Sequence, residues 1–227
     1  MIKWRGYLFS AKGIINEKEV IPPRGKRKIE KYEIDGRSGV LIIDEKAYEP
    51  FVISIPCHID TSVTNMDNIR AYLDGYGTLS FDGEREYTAI VQNQIDFTKI
   101  MRFRSFIVQF LVNPIAHDIT ATTKTITSSP TTFSISGATT EMTPTLTIVG
   151  NGDVTVTINN KTFNLYDLDS SKTYTLDCEN KVIVDNNNNN VSNQMLHDFP
   201  TLKPGSNTVS YTGTISSFTI DYKKAYL

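Results

Sequence analysis

Short runs of alternating apolar and polar residues recur along most of the chain. In a run such as DVTVTIN, successive side chains point to opposite faces of a β-strand, so that one face of the strand is apolar. In the second half these runs follow one another at roughly the 8–12-residue spacing that is typical of a β-sandwich. The runs are TLTIVG, DVTVTIN, KTFNLY, TYTLDCE, KVIVD, NTVSYTG and SFTIDYKK.

A helix is predicted in the first half, in the stretch TNMDNIRAYLDGYG. Met66, Ile69 and Leu73 follow the i, i+3, i+7 spacing of a buried helical stripe. Thr64 or Asn65 can cap its start. Several strands are predicted before this helix. They lie near Tyr7–Phe9, Lys28–Ile34, Val40–Ile43 and Pro50–Ile55.

A predicted hairpin follows the helix, and a longer strand closes the first half. Asp82-Gly83 in TLSFDGEREYTAIV is a strong turn signal for the hairpin. The closing strand has apolar residues on both faces, which predicts that it is covered on both sides. Phe106, Val108, Phe110 and Val112 share one face of this strand, and Ile107 and Leu111 share the other.

Composition divides the chain near residue 115. All eight arginines and the only tryptophan, Trp4, precede this point, whereas threonine, serine and asparagine dominate after it. We therefore predict two domains, residues 1–118 and residues 119–227. The predicted fold class is mainly β, with an N-terminal β-sandwich or barrel-like domain that contains one helix and a C-terminal β-sandwich of the jelly-roll type. DNNNNN, at residues 185–190, is predicted to be an exposed loop.

Charge and cysteine content favour an ordinary intracellular site of synthesis. The formal net charge of −2 gives no general attraction to nucleic acid or anionic membrane. No apolar run approaches the ~20 residues of a membrane span, and the opening MIKWRGYLFSAKG lacks the apolar segment of a signal peptide. Cys57 and Cys178 fall in different predicted domains, which argues against a disulfide framework.

The sequence lacks motifs for catalysis, metals or cofactors. His58, His117 and His197 do not have the spacing of a zinc site, and neither cysteine belongs to a Cys-x-x-Cys pair. Asp167 and Asp169 lack the further oxygen ligands of a calcium loop. A nucleophile elbow, a P-loop and a dinucleotide fingerprint are also missing. We therefore predict no cofactor and no metal, and the sequence argues against an enzyme.

The only dense basic run is PRGKRKIEK, which carries Arg24, Lys26, Arg27 and Lys28. It lacks the interleaved aromatics of a nucleic-acid site, and residues 1–114 hold 16 Lys and Arg against 15 Asp and Glu. We interpret the run as a loop with Pro22-Pro23 at its base, able to pair with acids of a neighbouring subunit. A merely solvated loop is the alternative interpretation.

A glycine-rich turn separates two predicted strands in YEIDGRSGVLIIDEKAYEPFVISI. Gly36 and Gly39 fit unusual backbone angles, and Arg37 can project to bind carboxylates or carbonyls. This turn follows RGYLFSAKGI and precedes the helix and the hairpin GTLSFDGEREYTAIV. In this order the motifs resemble the N-terminal domain of the distal tail (Dit) proteins of siphophages and related prophages.

The second half resembles the C-terminal domain of the same family, which is a galectin-like β-sandwich. The matching motifs are PTLTIVGNGDVTVTIN (Pro144–Asn159) and FPTLKPGSNTVSYTG (Phe199–Gly213). In the second motif Pro204 and Gly205 form a turn that sets strand register, and Asn207 can cap the bend.

The resemblance implies an architectural function at the tip of a virion tail. In the family, N-terminal domains form a hexameric ring, sometimes as a back-to-back double ring, that joins the tail tube to the tail-tip and receptor-binding apparatus and leaves a channel for DNA. The implied partners are other copies of the chain, the tail tube protein, a tail-associated lysin or fibre-base protein and a receptor-binding protein, with no membrane. The implied place of synthesis is the cytoplasm of a bacterial host.

The ring implied by the resemblance needs two different complementary patches on each subunit, because its contacts are head-to-tail. We expect Gly36, Arg37, Gly39 and the basic run to contribute to these contacts. Some relatives carry an arm that clasps the neighbouring subunit, and the candidate for such an arm here is Gly13–Lys31.

Two other functions stay open. A sugar-binding galectin uses a His-x-Asn-x-Arg strand and a tryptophan platform, and neither arginine nor tryptophan occurs after residue 115. We therefore predict that the sugar site is absent, and the alternative is a carbohydrate-binding module that attaches to cell-wall glycan through an exposed tyrosine. A hydrolase built on sandwiches is a weaker third function, because no acid–base pair is found. The candidate tyrosines are Tyr166, Tyr174, Tyr211, Tyr222 and Tyr226.

Overall fold

The structure, a computed structural model, describes residues 1–96, 100 and 103–227. Its secondary structure is mainly β, which confirms the predicted fold class. Contacts divide the chain into two compact units, residues 1–119 together with Leu227, and residues Thr120–Tyr226.

The first unit is built on one antiparallel sheet and a separate hairpin. Its elements are β1 (Lys3–Trp4), β2 (Tyr7–Leu8), β3 (Ile14–Asn16), β4 (Arg27–Glu33), β5 (Val40–Tyr48), β6 (Phe51–Ile59), α1 (Met66–Tyr72), β7 (Tyr76–Ser80), β8 (Arg85–Val91) and β9 (Ser105–Asp118). Seven strands pair in the order β2-β1-β7-β8-β9-β6-β3, whereas β4 and β5 form a two-stranded sheet of their own.

The core of the first unit lies against one face of the seven-stranded sheet. Trp4 and Phe110 are fully buried there, with ring centroids 4.8 Å apart. The Trp4 indole N–H donates to the carbonyl oxygen of Tyr72 (2.9 Å), which ties the last turn of α1 to β1. A buried indole with a satisfied N–H is a stable anchor, because its one polar group is not left unpaired.

The predicted helix is observed as α1. Asn65 caps it, because the Asn65 side chain accepts the N–H of Asp67 (2.9 Å). Ile69 and Leu73 are buried as predicted, while Met66 is partly buried against the same core. These residues hold the helix against the sheet through the apolar stripe that the spacing predicts.

The predicted hairpin joins β7 to β8, and the closing strand is β9. Gly83 has φ +85°, the left-handed conformation that the Asp82-Gly83 turn predicts. Val108, Phe110 and Val112 of β9 are fully buried. The prediction that the opposite face of β9 is also covered is wrong for the single chain, because Ile107 is 53% exposed.

The second unit is organised around two long strands. Its elements are β10 (Thr122–Thr125), β11 (Thr131–Ile135), β12 (Thr145–Ile158), β13 (Lys161–Leu168), β14 (Tyr174–Asp177), β15 (Val182–Val184), β16 (Met195–Leu196), β17 (Gly205–Tyr222) and β18 (Ala225–Tyr226). Strands β12 and β17 pair along most of their length, with register shifts at Val149/Gly150 and Asn151/Thr155.

These register shifts divide the second unit into two halves that share the long strands. The first part of β12 pairs with β14, and its second part pairs with β13. Aromatic side chains of the two halves meet in one core. The ring centroids are 6.2 Å apart for Tyr211 and Phe218 and 6.5 Å apart for Phe133 and Tyr222. Bulges that let a strand pass from one layer to the next are typical of sandwich corners.

Gly213 lies at the bend of β17, and substitution there is expected to destabilise the second unit. Gly213 has φ +95°, and an added Cβ would lie 2.4 Å from the carbonyl oxygen of Asp153. Gly213→Ala should therefore lower the free energy of unfolding by about 3 kcal/mol, the left-handed backbone accounting for ~1–2 kcal/mol of it. The matched control is Gly152→Ala (φ +69°), where an added Cβ meets no atom within 4 Å. Urea unfolding of both variants measures the difference, and equal losses would contradict the steric explanation.

Candidate assembly interface

The hairpin of β4 and β5 stands apart from the sheet of the first unit. Its register pairs Glu33 with Val40 near the tip and Arg27 with Tyr48 at the base. All of β4 except Lys28, and all of β5 before its last two residues, are exposed. A two-stranded hairpin is only marginally stable alone in water. Its stability therefore depends on anchoring at the base or on cover from another surface.

The two faces of the hairpin differ in chemistry. Residues opposite each other in an antiparallel pair lie on the same face, and the register therefore assigns the side chains of the regular part of the hairpin, Ile29–Glu33 and Val40–Asp44, to its two faces. The apolar face consists of Glu30, Tyr32, Leu41 and Ile43. The mixed face consists of Ile29, Lys31, Glu33, Val40, Ile42 and Asp44.

The apolar face is exposed although it contains three large apolar side chains. Tyr32 is 47% exposed, Leu41 43% and Ile43 47%. Its single acid, Glu30, accepts a hydrogen bond from the Tyr32 hydroxyl (2.5 Å), so that carboxylate already has a partner within the face. Contiguous apolar surface of this kind on a soluble protein marks an interaction site.

The glycine turn lies at the tip of the hairpin. Gly36 and Gly39 have φ +78° and +88°, the left-handed angles that the sequence predicts. The N–H of Arg37 donates to the carbonyl oxygen of Ile34 (3.1 Å) and closes the turn. The Arg37 side chain is exposed and, within the described part of the chain, is in none of the observed salt bridges.

Part of the basic run anchors the base of the hairpin. The Arg27 guanidinium binds Asp44 through two hydrogen bonds (Nε to Oδ1 2.8 Å, Nη2 to Oδ2 2.5 Å) and donates to the Tyr48 hydroxyl (3.1 Å). Lys26 Nζ lies 3.3 Å from Glu49 Oε2. Both cations therefore have an acidic partner within the chain.

The structure forms strands within both the predicted loop and the candidate arm, Gly13–Lys31. From Arg27 onward the basic run is strand β4, because alternation with Ile29 and Tyr32 permits pairing with β5. The candidate arm began at Gly13, but Ile14–Asn16 forms β3 and pairs with β6. The projecting element is the hairpin itself. Arg24 lies at its base, with the guanidinium 5.8 Å from the Tyr48 ring centroid, and Lys28 is half-buried on β4.

Asp44 provides a test of this anchoring. The hydrogen bonds from Arg27, and then the N–H of Lys46, lower the pKa of Asp44 to about 2. Because the folded pKa lies below the ordinary value near ~3.9, the ion pair contributes fully above that pH and is lost as the pH falls towards 2. In Arg27→Gln we expect the Asp44 pKa to return most of the way to its ordinary value. An NMR titration measures it, and an unchanged midpoint would contradict the anchoring role.

The turn in the second unit is capped as the sequence predicts. The side chain of Asn207 is fully buried and accepts the N–H of Lys203 (2.9 Å) and the Nδ2–H of Asn159 (3.0 Å). Its own Nδ2 donates to the carbonyl oxygens of Lys203 (2.8 Å) and Gly205 (3.0 Å). One amide thus satisfies both sides of the turn between β16 and β17. The role of this turn is structural.

The tyrosines proposed for sugar stacking are mostly inaccessible. Tyr174 is 2% exposed and Tyr222 8%. Tyr211 and Tyr226 are half-buried. Tyr166 is the exposed member of the set, at 38%.

The other candidate chemical groups are held in structural environments. Burial raises the pKa of the Cys57 and Cys178 thiols to about 12 each, opposite to the shift that activates a thiolate. Both are free and buried, as expected without a disulfide. Asp169 Oδ1 accepts the N–H (2.9 Å) and the hydroxyl (2.8 Å) of Ser171, which makes it a turn residue.

Across the described residues, no three His, Cys, Asp or Glu side chains cluster as metal ligands. Nor do those residues include a helix long and apolar enough to cross a membrane.

The exposed apolar hairpin is the feature that sequence reasoning missed. The signal was VLII at residues 40–43, four consecutive apolar residues on a strand. Such a run has apolar side chains on both faces and is normally taken as a buried central strand. Here it belongs to a two-stranded sheet, and both of its faces reach solvent.

Comparison with known proteins finds a similarity to phage tail proteins. Residues 137–226, most of the second unit, match the family model for the siphovirus-type tail component, C-terminal domain. The chain also resembles the crystal structure of the SPP1 Dit protein, described as a paradigm of the hub adsorption apparatus in phages that infect Gram-positive bacteria. That match covers 100% of this chain and 98% of the SPP1 chain, with a TM-score of 0.78 and 15% sequence identity. No curated protein matches the chain.

The two matches concern different properties of the chain, its fold and its sequence. The structural match concerns the fold and extends over both units, and the family match concerns the sequence of the second unit. The resemblance predicted from the sequence is thereby confirmed: the chain resembles the fold of the SPP1 Dit protein over its whole length, and residues 137–226 match the model of the siphovirus-type tail component, C-terminal domain.

Proposed function

We propose that this chain is the structural hub protein at the distal end of a phage or prophage tail. Six copies form a ring that joins the tail tube to the tail-tip apparatus and leaves a channel for DNA. The observation that carries the proposal is the β4–β5 hairpin, whose apolar face has no cover in the single chain. The family of the second unit and the fold of the whole chain support a place in a tail.

The hairpin suits a closed ring for a physical reason. Rings form through head-to-tail contacts, in which a projecting element of one copy binds a different surface of the next. The hairpin projects from the sheet, is anchored by Arg27 and Asp44, and exposes three large apolar side chains on its apolar face. Burial of such a face is favourable by roughly 25 cal/mol for each Å² of apolar surface removed from water.

The remaining partners follow from a hub at the tail tip. The ring contacts the tail tube protein on one side and a tail-associated lysin or fibre-base protein on the other. The second unit is a platform for a receptor-binding protein. The protein is made in the cytoplasm of the bacterial host and acts without an enzymatic step.

We place Arg37 in the contact between copies, because it projects from the hairpin tip without a salt bridge among the described residues. Arg37→Ala should weaken assembly by roughly threefold to tenfold, as expected for one partly exposed charge-assisted hydrogen bond. Arg70→Ala is the control, since this arginine is also exposed but lies on α1. Light scattering over a concentration series measures the change, and identical curves for both variants would exclude Arg37 from the contact.

The direct test of the proposed function is the solution mass of concentrated protein, with negative-stain images of the same sample. We expect particles of six copies, or of twelve in back-to-back rings, with an open centre. A monomer at every concentration, both alone and mixed with tail tube protein, would overturn the ring.

A further inference from the structure

A second apolar surface lies on the outer face of the seven-stranded sheet. The register places Tyr76 opposite Ile90, Ile90 opposite Leu111, and Leu111 opposite Val52. These four residues therefore form one continuous line across β7, β8, β9 and β6, here called the outer row. Tyr76 is 66% exposed, Val52 48% and Ile90 40%.

On the Ile107 side of the outer row, the neighbouring residues of β6 and β9 are uncharged. Ile107, 53% exposed, lies opposite Pro56 on the same face. Between this pair and the outer row, Gln109 Nε2 donates to Ser54 Oγ (3.1 Å). Depletion of charged residues is characteristic of the centre of protein interfaces. These uncharged side chains also offer no cation to the phosphates of a nucleic acid.

We propose that the outer row of one copy receives the apolar face of the hairpin from a neighbouring copy. The inference rests on the proposed ring, because it names the second of the two patches that a head-to-tail contact requires. Both surfaces are apolar and both are exposed in the single chain, so the hairpin does not cover the outer row of its own sheet. A second copy is the one partner that supplies a matching hairpin at every outer row.

The dimensions of the two surfaces agree. Four adjacent strands place the ends of the outer row about 14 Å apart. The apolar face is two strands wide, and Leu41 and Ile43 lie about 7 Å apart along β5. Tyr32, Leu41 and Ile43 can thus lie across Ile90 and Leu111 while Lys31 and Glu33 of the mixed face remain in solvent. Glu30, the one acid of the apolar face, keeps the Tyr32 hydroxyl as a hydrogen-bond partner.

Thiol crosslinking between two preparations of the full-length protein tests this contact. One preparation carries Leu41→Cys on the apolar face and the other carries Ile90→Cys on the outer row. The native Cys57 and Cys178 are buried and stay unreactive towards a short bis-maleimide. After mixing, we expect a covalent dimer of one chain of each kind. The matched control is Ile42→Cys, one residue along the same strand but on the mixed face, which should yield at least tenfold less dimer.

A charged substitution in the outer row tests the proposed contact independently of the crosslinking. Ile90→Lys should abolish rings while the Trp4 fluorescence melt of the first unit stays unchanged. His58→Lys, an exposed position on the same sheet beyond the outer row, should still form rings. Rings together with the expected dimer support the contact. Rings that persist in Ile90→Lys, with equal crosslinking of Leu41→Cys and Ile42→Cys, overturn this contact and leave the ring intact. Absence of rings from the unmodified protein, with no dimer, overturns both.

Discussion

The double substitution of Leu41 and Ile43 by serine is expected to leave the protein monomeric. Each side chain is exposed by more than 40% in the single chain and becomes buried in the proposed contact. Loss of such a residue from an interface costs about 1.5–3 kcal/mol, and the two together weaken each contact by roughly a hundredfold or more. Since six contacts close a ring, the assembled form should disappear at concentrations where the unmodified protein is fully assembled.

Light scattering at matched concentrations measures this result. Both residues are on a hairpin outside the core, so the Trp4 fluorescence melt of the first unit should not change. Val40→Ser with Ile42→Ser is the matched control, because it removes two apolar residues from the mixed face of the same strand. Equal assembly of the double variant and the unmodified protein would show that the apolar face is not buried between copies.

Asn207→Leu is expected to cause the largest loss of stability in the second unit. The substitution retains volume but leaves the N–H of Lys203 and the carbonyl oxygens of Lys203 and Gly205 without their partner. A buried polar group without a partner costs about 1–3 kcal/mol. We therefore expect the free energy of unfolding to fall by about 3 kcal/mol or more, because three groups are affected.

Urea unfolding can locate this loss. Trp4 is the only tryptophan and is buried in the first unit, so that its fluorescence reports that unit, while far-UV circular dichroism reports both. The dichroism transition of Asn207→Leu should move to lower urea, and the Trp4 transition should stay in place. Asn186→Ala, in the exposed part of the asparagine run, is the control and should change neither. A similar small shift for both variants would mean that the Asn207 contacts contribute little.

Local signals explain the elements that were predicted well. Asn65 caps α1, Gly83 makes the turn between β7 and β8, and Asn207 caps the turn before β17. These features were predictable because each interaction spans only a few residues. The Gly36 and Gly39 angles were predictable for the same reason, since glycine alone adopts positive φ without steric cost. Motifs in a fixed order along the chain were enough to recognise a distal tail fold.

The candidate interface depended on pairing between distant segments. VLII on β5 has the composition of a covered strand, and only its pairing with β4 alone leaves it exposed. The outer row joins residues from four strands, and Val52 and Leu111 meet only through the β6–β9 register. Asp185 shows the same limit. DNNNNN was predicted to be an exposed loop, yet the Asp185 carboxylate is buried and accepts the N–H groups of Asn187 (2.9 Å) and Asn189 (3.0 Å).

The sequence by itself determined the mainly β fold, the caps and turns, the apolar faces of most strands, and the resemblance to distal tail proteins. Period-2 alternation and glycine or asparagine at tight turns are properties of neighbouring residues, and a linear pattern contains them. The tertiary structure alone decided which apolar faces are buried in the core and which remain at the surface. Burial depends on strand order and register, which bring together residues far apart in the chain. For this protein that distinction separates Phe110, fully buried in the core, from its neighbour Leu111 on the proposed contact between copies.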